Sequence, residues 1–164
     1  MHEPWIDDRF ASLASGENPT LILKMKSGYA VLGDYQMLPG YCVLLGLPRA
    51  ESLNELSPAR RAQFLNDMAL VGDAVNEVCD PLRLNYAIMM NYDHYLHAHI
   101  QARYAWEPDE YRKGPAWNYP GERLYDDAYF CLEEKFVALR KELQEALERR
   151  LEAIRYWEDE PACP

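Results

Sequence analysis

Between Asn91 and Tyr104 polar and apolar positions alternate: Tyr95, His97, His99, Gln101 and Arg103 interleave with Leu96, Ala98, Ile100 and Ala102. Side chains two apart in a strand share a face, so this period predicts a strand with one reactive face and one core face. Residues 20–24 and 29–33 read as two more strands, joined by a turn at Lys26-Ser27-Gly28. The apolar run 41–47, closed by Pro48, suits a strand covered on both faces, although periodicity alone leaves a helix open. Residues 84–91 read as a further strand. Only Tyr92-Asp93-His94 then separates it from the histidine strand, a hairpin that sets Asn91 beside the reactive face.

Helical spacing occurs in three places. Trp5, Ile6, Phe10 and Leu13 predict a short amphipathic helix over 5–13, ended by Ser15-Gly16-Glu17-Asn18-Pro19. Ser57-Pro58 is a start signal, since serine caps free amides and proline is tolerated at the first helical position. Phe64, Met68, Val71, Val75 and Val78 follow at steps of four, three, four and three, and Asp80-Pro81 ends the helix. Residues 126–157 lack Gly and Pro and carry a stripe through Tyr129, Leu132, Phe136, Leu139, Leu143, Leu147, Leu151 and Ile154, with Glu145 and Arg149 as an i,i+4 pair. So long a helix is expected to outrun the domain, its excess packing on a second subunit or standing as a solvated face. Residues 34–40 are an irregular connection, and 106–121, with Gly114-Pro115-Ala116-Trp117, a loop expected to cover the site.

At 164 residues the chain suits one domain, and 49% apolar with 12% aromatic residues makes it globular. A formal charge of −10 argues against a general nucleic-acid binder, which needs clustered Lys and Arg. Neither a leader-like N-terminus nor an apolar run of membrane length is present, so no membrane partner and a cytoplasmic location are expected. Cys42, Cys79, Cys131 and Cys163 stand singly, without the spacing of a zinc knuckle or redox motif.

The chemistry concentrates in His97 and His99. Imidazole has the unperturbed pKa closest to neutrality, so two on one rigid strand serve as nucleophile, general base or metal ligand. Three readings follow: attack on phosphorus through a phosphoramidate intermediate, an HxH metal pair in a hydrolase, or a nucleotide-binding module with little turnover.

The ordered words Gly33-Asp34-Tyr35-Gln36-Met37-Leu38-Pro39-Gly40-Tyr41, Leu84-Asn85-Tyr86, Asn91, Leu96-His97-Ala98-His99, Ala102-Arg103-Tyr104 and Gly114-Pro115-Ala116-Trp117 resemble the histidine-triad family of nucleotide hydrolases and transferases. The likeness is strongest to its bacterial branch, described as diadenosine-polyphosphate hydrolase-like, and spans residues 10–120. It leaves 123–157 as a helical extension of a single domain. The resemblance implies an α+β fold: an antiparallel sheet of five strands, a packed helix, a long C-terminal helix and a homodimer with adjoining sheets. It implies attack by His97 on the α-phosphate of a dinucleoside polyphosphate or related conjugate, with a nucleotidyl-histidine intermediate and no cofactor or metal. By position, His99 contacts phosphate, Asn91 helps fix the phosphate site and Asp34 falls where the family meets the ribose.

The sequence also departs from the family. Tyr95 occupies the place of the first histidine, Tyr41 follows Gly40 where histidine is common, and the segment from Asn91 to His97 lacks phosphate-cradling glycines. An alternative register, His97-Ala98-His99-Ile100-Gln101 as HxHxQ, makes His99 the nucleophile; the spacing from Asn91 through His97 to Arg103 favours His97. Arg103 and Gln101 share the reactive face, Arg103 serving a distal phosphate or a structural ion pair. His94 reads as a polar turn residue and His2 as a terminal one.

Overall fold

Five short strands form one antiparallel sheet in the computed structural model, which describes residues 3–158; His2 and Cys163 lie outside the described residues. The strands are β1 (Leu21–Met25), β2 (Gly28–Leu32), β3 (Cys42–Gly46), β4 (Arg83–Ala87) and β5 (His97–Arg103), in the order β1-β2-β3-β5-β4. The histidine strand thus lies inside the sheet, with a hydrogen-bonded neighbour on each side. Ala98 pairs with Leu44 and Ile100 with Cys42, and all four are fully buried. His97 pairs with Leu45 and His99 with Val43 on the other face. The alternation read from the sequence is the alternation of the two faces.

One face is covered by α3 (Pro58–Cys79) and α6 (Glu134–Glu158). Ser57 Oγ accepts from Arg60 N at the start of α3, Pro58 takes the first position, and Asp80 ends the helix at φ 43°. Phe64, Val71 and Val75 enter the core, whereas Met68 and Val78 are only partly buried at its margin. Asp67 is a buried carboxylate that accepts from Ser27 N (2.9 Å), Ser27 Oγ (2.6 Å) and Gln63 Nε2 (2.7 Å). It clamps the β1–β2 turn to α3. Asp67→Ala is expected to cost about 1–3 kcal/mol by leaving the Ser27 amide buried without an acceptor. A lower urea midpoint at unchanged m-value would register the loss.

Several sequence expectations are corrected. The N-terminal helix is two, α1 (Pro4–Asp7) and α2 (Arg9–Ser15), because Asp8 leaves helical geometry and caps α2 by accepting from Ala11 N. β4 stops at Ala87 rather than at Asn91; Met90 turns the chain at φ 49°, and residues 88–96 make a longer connection than a tight hairpin. The 106–121 segment holds α4 (Asp109–Arg112), followed by α5 (Gly121–Leu124). The last helix begins at Glu134, after a 3-10 turn at Asp127–Tyr129 capped by Asp126.

The stripe of α6 is covered within the chain. Phe136, Leu143, Ala146 and Leu147 are buried in the same core as α3, and Arg140 donates to the Leu21 carbonyl at 2.7 Å. Arg149 pairs with Glu77 of α3 rather than with Glu145. No helix among the described residues is long and apolar enough to cross a membrane.

Candidate active site

On the sheet face away from α3 and α6 lies a cavity of about 490 Å³. Its floor is Val31, Val43, Leu45, His97, His99 and Gln101. Its walls come from Arg9 of α2, the 33–41 connection, Tyr92, Asp93 and Tyr95, and the Ala116–Tyr125 side. Local strand geometry supplies the floor. The walls arrive only through tertiary packing.

His97 is 7% exposed, and its Nδ1 lies 2.7 Å from the Tyr95 carbonyl oxygen. A carbonyl oxygen only accepts, so Nδ1 carries the proton and donates. In the neutral ring the lone pair is then on Nε2. The His99 ring stands edge-on to His97, centroids 4.8 Å apart, and its Nδ1 is 2.7 Å from the Tyr41 hydroxyl. Burial, with the His97 charge adding to it, brings the His99 pKa down to about 4, and burial holds the Tyr41 phenol well above its ordinary range. At neutral pH the pair is a neutral imidazole and an intact phenol. The Tyr41 hydroxyl can donate to Nδ1 or accept from it, and in the tautomer in which it donates His99 offers Nε2–H to a ligand.

That depression has a sign. A free imidazole titrates near 6.5, so between pH 6.5 and 4 the unfolded chain binds a proton that folded His99 refuses. The stability contribution is complete above pH 6.5 and is lost as pH falls toward 4. The His99 ring resonances are therefore expected to stay flat from pH 8 to about 5 in an NMR titration. A midpoint near 6.5 would show that the ring is solvated.

The other candidate residues divide. Tyr95 is half-buried, its ring 5.3 Å from His97 and edge-on to Phe10 at 5.0 Å, with the Arg49 guanidinium over both Phe10 and Tyr95. Gln101 lines the cavity beyond His99. Asp34 also lines it, and both its carboxylate oxygens accept from Arg9, which in turn lies over the Trp5 ring at 5.2 Å. Asn91 is exposed and outside the cavity lining, because β4 ends early and the chain turns away at Met90. His94 is likewise exposed and outside it.

Arg103 is not available to a phosphate. It is 1% exposed, and each of its N–H groups is taken: Nε by Glu107, Nη1 by Asn85 Oδ1 (2.9 Å) and the Gly114 carbonyl (2.6 Å), Nη2 by Glu107 (2.8 Å) and the Tyr111 carbonyl (2.7 Å). Guanidinium has five donors and no more. Arg103 therefore fastens the 107–114 segment to the end of β5.

Arg9, Tyr41, Trp117 and Tyr125 complete the cavity. Trp117 had a signal in the distinctive word Gly114-Pro115-Ala116-Trp117; Arg9 had none, since its approach to Asp34 spans unrelated parts of the chain. Among the described residues, no three of His, Cys, Asp and Glu gather in a metal-ligating group, which leaves the HxH pair without a third ligand of that kind.

No family model matches the chain, and no curated protein matches it in sequence. Solved structures do. A histidine triad protein from Sinorhizobium meliloti superposes with a TM-score of 0.65 at 20% identity, covering 77% of this chain and 87% of that one. One from Marinobacter aquaeolei gives 0.65 at 20% identity, with 79% and 88% covered. A histidine triad nucleotide-binding protein, described as hypothetical, from Sulfolobus tokodaii gives 0.63 at 17% identity, with 86% and 92% covered. This chain has the histidine-triad fold: α+β, with a five-stranded antiparallel sheet and a long C-terminal helix.

Proposed function

We propose that the chain is a nucleotide hydrolase or nucleotidyl transferase acting at the α-phosphate of a dinucleoside polyphosphate or related nucleotide conjugate. One observation carries this reading: the Tyr95 carbonyl holds the proton of His97 on Nδ1, leaving a lone pair on Nε2 in a ring that lines a cavity of ligand size. In the first step Nε2 bonds to the α-phosphorus as the bond from phosphorus to the leaving oxygen breaks. In the second, a water oxygen bonds to phosphorus, the P–N pair returns to Nε2 and the water proton passes to solvent. A different acceptor in the second step makes the reaction a transfer.

His99 Nε2–H and the Tyr95 hydroxyl donate to the non-bridging oxygens as charge develops, each such donor supplying about 2.7–4 kcal/mol when tested by removal. Asp34, beside Arg9, accepts from ribose hydroxyls, and Gln101 donates to the phosphates beyond the scissile bond. The Sulfolobus tokodaii neighbour, described as nucleotide-binding, supports a nucleotide as ligand. A homodimer belongs to the same reading, supported by the open edge of β4 with Leu82 and Tyr86 exposed.

Tyr95 in the first triad position favours a second reading, a binding module with little turnover. Mass spectrometry after mixing with a dinucleotide and quenching in alkali separates the two. An adduct of one nucleotide mass on the His97 peptide supports the transfer mechanism, and binding without adduct or product supports the module. An adduct on His99 instead would overturn the assignment of the nucleophile.

A further inference from the structure

We propose that Arg49 is a positioning residue that acts through Tyr95, and that the Tyr95–Arg49 pair in the first triad position suits the site to leaving groups that depart as anions. This rests on the nucleotidyl-transfer reading and narrows its substrate class to phosphoric anhydrides rather than phosphoramidates.

Tyr95 lines the cavity, its ring 5.3 Å from the His97 ring. The Arg49 Cζ lies 5.4 Å from the centre of the Tyr95 ring and 4.8 Å from that of Phe10, which itself meets Tyr95 edge-on at 5.0 Å. No carboxylate and no hydrogen-bond acceptor among the described residues takes the Arg49 N–H groups. Arg9, by contrast, has both arms of its guanidinium on Asp34. A cation that no carboxylate neutralises keeps its field on the ring beside it. Arg49 therefore polarises the Tyr95 hydroxyl as well as holding its ring.

Backbone contacts set this placement. Gly46 N donates to the Leu96 carbonyl (2.9 Å), and Leu96 N donates to the Ala50 carbonyl (2.6 Å). Residues 47–49 thus form a short loop with both ends fastened to the residue that follows Tyr95. The loop leaves β3, which lies on the side of β5 away from β4, so Arg49 stands apart from the open β4 edge that a homodimer would use.

The acid chemistry of the pair decides what can leave. A free phenol titrates near 10. Burial raises Tyr95 further, Asp93 and Asp34 add to the rise, and Arg9 and Arg49 oppose it. A general acid works best with a pKa near the working pH, so this phenol is a poor source of a proton for a departing amine. A guanidinium does not give one up either. What the pair supplies is a hydrogen bond strengthened by a fixed positive charge. As Nε2 bonds to the α-phosphorus of an anhydride, the electron pair of the bridging P–O bond leaves with the phosphate oxygen and no proton moves. A phosphoramidate would need a proton on its departing nitrogen.

The test is a double-mutant cycle between Arg49→Gln and Tyr95→Phe, read on diadenosine tetraphosphate. Tyr95→Phe should lower kcat about a hundredfold. Arg49→Gln should lower it about fivefold with KM unchanged in the parent background, Arg49→Lys should recover most of that loss, and Arg49→Gln should add nothing in the Tyr95→Phe background. The parent should favour the tetraphosphate over adenosine 5′-phosphoramidate by about a hundredfold in kcat/KM. Losses that multiply in the cycle would overturn the inference, because Arg49 would then act on the fold or the substrate and not through the Tyr95 hydroxyl. So would a lysine variant no better than glutamine, or a parent that prefers the phosphoramidate; in each of these cases the transfer reading stands. A parent that turns over neither substrate would overturn the transfer reading itself, and the role of Arg49 with it.

Discussion

His97→Ala is expected to lower kcat/KM for a dinucleotide by at least about a thousandfold and to abolish the nucleotidyl adduct. The size follows from what is removed. Without Nε2, water must attack phosphorus directly, and the division of one hard displacement into two easier ones is gone. On the proposed mechanism His99→Ala removes only a donor to the developing charge, so it should cost about 10²–10³ in kcat and still permit adduct formation. The contrast between the two variants is the informative result: equal losses with no adduct in either would mean that His99 shares the nucleophilic role. An unfolding midpoint for each variant guards against loss of fold, since His97 is nearly buried.

Arg103→Met is expected to cost about 3–5 kcal/mol of stability. Glu107 would be left as a buried carboxylate without its cation, holding only the Tyr104 amide and the Tyr119 hydroxyl. The Gly114 and Tyr111 carbonyls would lose their donor as well. Arg103 holds the Glu107 pKa below its ordinary value even though burial works against it. That part of the stability is present above the unfolded carboxylate pKa and is lost as pH falls through the folded one. Urea titrations of Arg103→Met and of Arg103→Met/Glu107→Leu would read the effect, and the double variant should recover part of the loss because no charge is stranded. A single variant with the parent's midpoint would show that the pair is solvated.

The contrast between Arg103 and Gln101 shows where sequence reading reached its limit. Both sit on the histidine face by the period of two, yet Gln101 lines the cavity and Arg103 is sealed under the 107–114 segment. Strand period reports direction, and burial depends on what later residues lay over that direction. Asn91 illustrates the same point along the chain. Its neighbours Ile88, Met89 and Met90 are apolar enough to extend a strand, but β4 stops at Ala87 and Met90 turns the backbone. The long last helix was legible as a stripe, but the surface that covers it was not, because Phe136, Leu143 and Leu147 meet partners far away in the sequence.

By itself the sequence determined the elements whose pattern is local: the strand that carries His97 and His99 on one face, the capped helix after Ser57, and the apolar stripe of the last helix. These follow from backbone geometry repeating every two or 3.6 residues, which neighbours along the chain suffice to express. Tertiary structure alone decided which polar residues line the cavity and which lock the scaffold. It brought Arg9 to Asp34, Tyr41 to His99 and Glu107 to Arg103. The Arg9–Asp34 and Tyr41–His99 contacts join residues with no periodic relation to each other. Arg103 and Glu107, though only four apart in the chain, became a buried pair because Tyr119 and the 111–114 carbonyls closed over them.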